Sequence, residues 1–266
     1  MPLSIMQRVD LLKSLNRPTI YEYIPLLFRD FTELHGDRYF SDDPAVMGGI
    51  GMFENIPVTV IAQKRARSIE ELMKINFSMP HPEGYRKALR LAKQAEQFGR
   101  PIICFIDTPG AYCGVGAEER GQGEAIAFNQ REFMTLKTPV MSVVLGEGGS
   151  GGAIAIGVCD DLAMLENALY SVISPKGFAA ILWKDGSRER EAAELLKITA
   201  EDLLSFGICD HIIAEPEGGA DKDITFTASK IAEWLRASLG RLTKENYGNL
   251  PEKRYQKFRK MGLFKE

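Results

Sequence analysis

Residues that ligate metals or cross-link chains are scarce in this sequence. Its 266 residues include four cysteines and three histidines. Cys104, Cys113, Cys159 and Cys209 form no CxxC pair, and His35, His81 and His211 stand far apart, so no metal site is expected. Cys104, Cys159 and Cys209 sit in apolar runs and read as small core residues of a protein kept in a reducing compartment. An excess of either charge is also missing: 33 Lys and Arg against 36 Asp and Glu leave −3. That near-balance argues against a dedicated nucleic-acid face. No apolar stretch approaches the ~20 residues that span a bilayer. The opening residues lack the apolar core and small-residue cleavage site of a signal peptide, so a cytoplasmic protein is expected. No GxxxxGK[ST] loop exists, which assigns any ATP use to a partner.

What is present is an ordinary globular composition, 45% hydrophobic and 26% charged. A chain this long buries about 75% of its unfolded surface in one core. Thr19 can cap a helix in which Ile20, Ile24, Leu27 and Phe28 form one stripe to about Phe31. Met47–Phe53 and Val58–Gln63 read as a hairpin turning at Glu54-Asn55. Ser68-Ile-Glu-Glu71 reads as a capping box opening a helix through Phe77. A second helix covers Glu83–Phe98. Continuous apolar strands then alternate with helices: Pro101–Ile106, a helix over Glu118–Leu136, Pro139–Leu145, a short helix from Gly152, then Leu162–Leu165, Leu169–Ile173 and Ile208–Ala214. Uninterrupted apolar strands imply helices on both faces of a sheet. The class is α/β, with a helical tail that includes a basic segment over Lys244–Lys260.

Gly146-Glu-Gly-Gly-Ser-Gly-Gly152 follows a strand and opens a helix. Glycine lets backbone amides approach a ligand, and a helix start adds unpaired N–H groups with partial positive charge. Gly146, Gly148 and Gly151 spell GxGxxG, but the helix is too short for a dinucleotide-binding crossover. Gly148-Gly-Ser150-Gly-Gly152 also spells GxSxG, a nucleophile elbow needing His211 as base and Asp210 or another carboxylate behind it. A bare tight turn accounts for one or two glycines but not five in seven residues. An oxyanion hole accounts for the cluster best, with the amides of Gly151 and Gly152 aimed at an oxygen that becomes anionic during reaction.

A second glycine-rich loop, Asp107 to Gly123, leaves the carboxyl end of the preceding strand and should face the same crevice. Catalytic amides are therefore expected at Gly151 and Gly152. Substrate contacts are expected at Gly148, Gly149, Gly110, Ala111, Gly114 and Gly116. Lys64 and Arg67 lie at a strand end beside the crevice, either as solvated charge or as contacts for phosphates or an anionic carboxylate. Arg120 would pair with Glu118 or Glu119, or meet substrate. Glu71-Leu-Met-Lys74-Ile75 has a flavour of a biotinyl-lysine site, but its flanks form a capped helix rather than a hairpin, so Lys74 is not expected to carry biotin.

These motifs resemble one family closely. Phe105-Ile-Asp-Thr-Pro-Gly-Ala-Tyr112, Gly114-Val-Gly-Ala-Glu-Glu-Arg-Gly-Gln122, Gly146-Glu-Gly-Gly-Ser-Gly-Gly-Ala-Ile-Ala-Ile-Gly157 and Tyr170-Ser-Val-Ile-Ser-Pro175 resemble the alpha subunits of acetyl-CoA carboxylase carboxyltransferases. Met79-Pro-His-Pro-Glu-Gly-Tyr-Arg-Lys-Ala-Leu-Arg90 and Ala179-Ala-Ile-Leu-Trp183 fit as well. The likeness runs from about Arg17 to Lys260. It implies the crotonase (ClpP-like) fold, repeated ββα units in a spiral with flanking helices. A short segment 1–16, a carboxyltransferase domain 17–240 and a helical tail 241–266 would divide the chain. Longer family members carry an N-terminal helical extension where this chain has only the short segment.

The resemblance also implies the chemistry. Carboxyl transfer from carboxybiotin to acetyl-CoA would give malonyl-CoA for fatty acid synthesis, with the hole formed here facing the biotin ureido oxygen. No cofactor would be bound covalently: biotin would come on a biotin carboxyl carrier protein. A beta subunit carrying zinc and the thioester hole would complete an α2β2 heterotetramer, with biotin carboxylase in the holoenzyme. The alternatives are another crotonase-fold acyl-CoA carboxyltransferase or decarboxylase subunit, and a serine hydrolase using Ser150.

Overall fold

The structure, a computed structural model, describes residues 3–262. The first two residues and 263–266, which belong to the expected N-terminal segment and tail, lie outside the described residues. The hairpin forms as its turn demands: β2 (Val46–Phe53) and β3 (Ile56–Gln63) pair antiparallel around Glu54, whose φ of 53° closes the turn. From β3 the sheet grows by parallel pairing through β4 (Ile102–Thr108), β5 (Val140–Gly149), β6 (Asp161–Leu165) and β8 (His211–Ile213). A short β7 (Leu169–Ser171) leaves this path and pairs with the end of β5. Every residue of β4 is buried, the apolar run Ile102–Ile106 and also Asp107 and Thr108 at its end.

On the other side of the hairpin stands β1 (Arg29–Glu33), which the sequence reading misses. Helix α2 (Ile20–Leu27) starts where expected, the Glu22 carboxylate accepting both the N–H and the hydroxyl of Thr19. It ends four residues earlier than Phe31. Gly49 and Gly51 on β2 leave space that the Phe31 ring fills, and a Cβ at Gly49 would come within 2.7 Å of that ring. Tertiary packing therefore converts the end of an apparent helical stripe into an edge strand.

Two other helices are shorter than their periodicity suggests. In α3 (Ile69–Lys74) the Ser68 hydroxyl accepts the Glu71 N–H at 3.1 Å. The Glu71 carboxylate turns to the Arg67 N–H instead of Ser68, so only half of the expected box forms. The chain then leaves helical geometry: Asn76, Phe77 and Ser78 take φ of 53°, 55° and 63°. Thr108 anchors this turn by donating its hydroxyl to the Ser78 carbonyl at 2.6 Å. The helix expected over Glu118–Leu136 is two, α5 (Val115–Glu119) and α6 (Gln122–Thr135), separated by Gly121 at φ 82°.

Helix α4 (Pro82–Gln97) packs on β2, β3 and α6. Helix α7 (Ser150–Ile154) sits between β5 and β6, while α8 (Pro175–Leu182), α9 (Glu189–Leu196) and α10 (Ala200–Ser205) follow β7. The order β–β–α is thus plain in β2–β3–α4 and β6–β7–α8. Cys104, Cys159 and Cys209 are buried as expected, and Cys113 is exposed. Helix α1 (Ile5–Lys13) docks through Arg8, whose guanidinium donates to Glu201 at 2.6 and 2.7 Å and to the Glu166 carbonyl.

Helix α11 (Ile224–Leu242) packs on α2 and β8 and runs straight through residue 240, the expected domain edge. Beyond it, α12 (Leu250–Arg259) is fastened to the domain by a fully buried Arg254. Among the described residues, no helix is long and apolar enough to cross a membrane.

Candidate active site

Strand β5 continues through Gly149, so Gly146, Gly148 and Gly149 belong to the sheet rather than to a loop. Their small size serves packing. The Pro109 carbonyl oxygen lies 2.1 Å from where a Gly149 Cβ would stand, and the Tyr170 ring 2.7 Å from that of Gly148. At Gly152 the Gly110–Ala111 backbone approaches within 2.6 to 2.9 Å of a hypothetical Cβ. Gly151 differs. Its nearest neighbour is the flexible end of Ile126 at 3.4 Å, so the fold itself does not demand glycine there. The sequence argument from five glycines is thereby sharpened to one position.

Ser150 turns the chain at φ 47° into α7, whose five residues are far short of a dinucleotide-binding crossover helix. The N–H groups of Gly151 and Gly152 lie in the first turn of α7, where a helix offers no i−4 acceptor. Among the described residues, no side chain and no carbonyl outside the helices and strands accepts them. Their carbonyls are occupied: Gly151 O accepts from Ala155 N at 3.1 Å and Gly152 O from Gln63 Nε2 at 2.6 Å. Two cavities flank this turn. One of about 370 Å³ is bordered by Gly151, Ile154, Tyr170, Leu203 and Phe258. A smaller one of about 170 Å³ is bordered by Pro109, Gly149, Ser150 and Ser174.

The second loop meets the first through Gly110 and Ala111, which lie on Gly152. Its shape is fixed from behind. Gln122 donates to the Tyr112 and Pro80 carbonyls at 2.7 and 2.9 Å, and the Tyr112 ring stacks on His81 with centroids 4.2 Å apart. Gly114 and Gly116 instead form the start of α5, in contact with Tyr112 and Arg120. His81 is held below its usual pKa by burial and by the Arg120 cation, against the pull of Glu83. The fold supports it through Asp43, which accepts the His81 N–H at 2.7 Å and whose own pKa burial pushes up to about 6.

The three expected cations are all engaged. Lys64 is buried and pairs with Glu33 at 3.1 Å, while Arg67, half exposed, pairs with Glu22 at 3.1 Å. Arg120 pairs with Glu83 at 2.7 Å rather than with Glu118 or Glu119, because α5 ends at Glu119 and turns the Arg120 side chain toward α4. Ser150 has no histidine at hand. His211 aligns with Ala163, and Ala163 with Val143, seven residues before Ser150 on β5, about 23 Å along an extended strand. Asp210 is spent on the Leu162 N–H and Lys257. The elbow reading has no base.

Sequence reasoning misses a buried ionic group under the glycines. Arg17 donates to Asp107 at 3.2 Å, Arg65 pairs with Glu147 at 2.5 Å, and Asp107 accepts the Glu147 N–H at 3.1 Å. Gln63, almost completely buried, joins this group to α7. A polar residue closing an otherwise apolar strand is the only signal for it in the sequence. Among the described residues, no group of three His, Cys, Asp or Glu side chains could hold a metal ion.

A family model described as acetyl co-enzyme A carboxylase carboxyltransferase-like matches residues 1–262. The acetyl-coenzyme A carboxylase carboxyl transferase subunit alpha of Clostridium acetobutylicum is 56% identical over 260 residues, 98% of this chain and 95% of that one. Its namesake in Listeria welshimeri is 56% identical over 248 residues, 93% and 78% of the two chains. Among solved structures, the transcarboxylase 12S hexamer core with methylmalonyl-coenzyme A superposes with a TM-score of 0.70 at 14% identity. The match spans 92% of this chain but 45% of that one. A Pseudomonas malonate decarboxylase hetero-dimer gives a TM-score of 0.63 at 15% identity, over 80% and 84% of the two chains. At such identities the likeness concerns the fold alone.

Proposed function

The chain belongs to the acetyl co-enzyme A carboxylase carboxyltransferase-like family, and from that premise we propose that it is the alpha subunit of a carboxyltransferase. Its fold is the crotonase type of the carboxyltransferase neighbours. The reaction moves the carboxyl group of carboxybiotin to acetyl-CoA. The bond from the biotin ring nitrogen to the carboxyl carbon breaks, and that carbon bonds to the acetyl methyl carbon. The methyl proton ends on the ring nitrogen, so malonyl-CoA and biotin are the products.

As the carboxyl group departs, negative charge grows on the ureido oxygen. The N–H groups of Gly151 and Gly152 stabilise that charge more than they stabilise the ground state, which is what accelerates the step. One observation carries this reading: Gly151, a first-turn residue of α7 whose N–H has no i−4 acceptor in the helix, borders a cavity and is the one glycine of the cluster that close packing does not require. The cavity next to Gly151 suits the bicyclic ring, being within the usual size range of ligand pockets. Gly148, Gly149, Gly110 and Ala111 shape the entry. Gly114, Gly116, Lys64, Arg67 and Arg120 hold the surrounding loops, and Arg67, the most exposed of the three cations, is the one able to exchange its partner for a CoA phosphate.

The thioester half of the site, with its zinc, belongs to a beta subunit in an α2β2 assembly. A biotin carboxyl carrier protein delivers the biotin, biotin carboxylase loads it, and the whole acts in the cytoplasm. Val172, just after β7 and bordering the cavity beside Gly151, is exposed, as are Ile181 and Leu182 on α8 and Leu195 on α9, and these residues provide an apolar face for the beta subunit.

The test is the reverse reaction. The complex of this chain with its beta subunit should convert malonyl-CoA to acetyl-CoA in the presence of free biotin, and Ser150→Ala should keep that rate within about threefold, since no proton relay reaches Ser150. A wild-type complex without the activity contradicts the assignment. A loss beyond 10³-fold in Ser150→Ala returns the hydrolase reading.

A further inference from the structure

Gln63 is the last residue of β3 and is 1% exposed. Its side chain makes two hydrogen bonds of opposite sense. Oε1 accepts the Asp107 N–H at 3.1 Å, and Nε2 donates to the Gly152 carbonyl at 2.6 Å. A main-chain N–H can only donate and a carbonyl can only accept, so both ends of the amide are chemically assigned. Glutamate lacks the donor, methionine lacks both groups, and asparagine is one methylene short. Only glutamine fits this gap without having to be protonated.

The bonded partner matters because α7 cannot orient itself. Five residues close too few internal hydrogen bonds to outweigh the cost of starting a helix. Its first turn is set by tertiary contacts: Gly110–Ala111 against Gly152, and Gln63 on the Gly152 carbonyl. The other end of the same amide rests on Asp107, whose carboxylate takes the Glu147 N–H and the Arg17 guanidinium. One side chain thus ties the ends of β3, β4 and β5 to the Gly152–Ala153 peptide, the plane that directly follows the two presenting the Gly151 and Gly152 donors.

We propose that Gln63 is a positioning residue for carboxyl transfer: its amide holds the Gly152 peptide so that the neighbouring N–H groups meet the developing oxyanion. The proposal rests on the carboxyltransferase reading above. Gln63 touches no substrate. Its loss therefore lowers kcat and leaves the KM for malonyl-CoA and for biotin alone, because misplaced donors cost rate rather than ground-state binding.

The experiment uses the complex with the beta subunit and two variants, Gln63→Met and Gln63→Glu, assayed for biotin-dependent malonyl-CoA decarboxylation between pH 6 and 8.5. At pH 8 both variants should lose about 10- to 100-fold in kcat. They then diverge. A protonated glutamic acid regains a donor for the Gly152 carbonyl while still accepting from Asp107, so Gln63→Glu recovers as pH falls, whereas Gln63→Met does not. A purely packing role moves both variants alike and adds no acidic limb to the pH profile. Wild-type kcat in both variants, or equal losses with the wild-type pH profile, overturns the proposal. Gly151→Val separates the two levels: an inactive Gly151→Val beside unaffected Gln63 variants sinks only the positioning role, and an active Gly151→Val sinks the site itself.

Discussion

Gly151→Val is expected to fold, to assemble with its partner, and to lose at least 10²–10³ in carboxyl-transfer rate, the usual effect of removing one oxyanion donor. The space around Gly151 decides the first half of that expectation. A Cβ there meets only the end of Ile126 at 3.4 Å, which a rotamer change relieves. Helix geometry at the position is ordinary for an L residue, since its φ is not positive. A branched side chain there adds bulk beside the N–H groups at the edge of the 370 Å³ cavity that Gly151 borders. Gly152→Val should behave oppositely. There a Cβ lies 2.6 Å from the Gly110 carbonyl carbon, so the second loop must move and stability falls with activity. Thermal unfolding beside the rate assay separates the two. Activity retained in Gly151→Val contradicts the assigned role of the amides.

Arg254→Met should be the most destabilising single change in the tail. The guanidinium is completely buried. It donates to the carbonyls of Phe133, Met134, Leu136 and Thr138 at 2.6 to 3.2 Å, and to both carboxylate oxygens of Asp160 at 3.0 and 2.8 Å. Methionine fills the volume but leaves Asp160, itself 5% exposed, without its counter-ion. Breaking one side of a buried pair costs about 3–5 kcal/mol. In a chain of this size that lowers the melting temperature by about 10 °C. Phe258, four residues on, lines the cavity beside Gly151, so the loosened α12 also lowers activity. A melting temperature within 2 °C of wild type, a shift worth about 1 kcal/mol or less, contradicts the assigned anchoring role.

Local chemistry made much of the architecture legible. Glu54-Asn55 between two apolar runs located the hairpin within two residues, and the unbroken apolar runs of β4 and β5 correctly implied buried parallel strands. What failed was long-range. Phe31 continues a helical period, yet it lies in β1 because Gly49, eighteen residues later, leaves room for its ring. Nothing near Phe31 in sequence reports that vacancy.

The site shows the same division. A glycine cluster at a strand end located the turn around Ser150, but it overstated the number of glycines placed there for a ligand. Gly149 and Gly152 are small because Pro109, Gly110 and Ala111 occupy the space, a fact that only the meeting of two distant loops reveals. Within the basic segment nothing marks Arg254 out for burial, since a buried arginine satisfied by carbonyls carries the same local sequence as an exposed one. Gln63 carried no spacing signal at all. Its role exists only because β3 ends where β4 and α7 converge.

The most direct measurement is a structure of the complex with biotin bound. The ureido oxygen should lie 2.7–3.1 Å from the main-chain nitrogens of both Gly151 and Gly152, the distance at which oxyanion donors work. Biotin seated with that oxygen away from those two nitrogens would contradict the central claim.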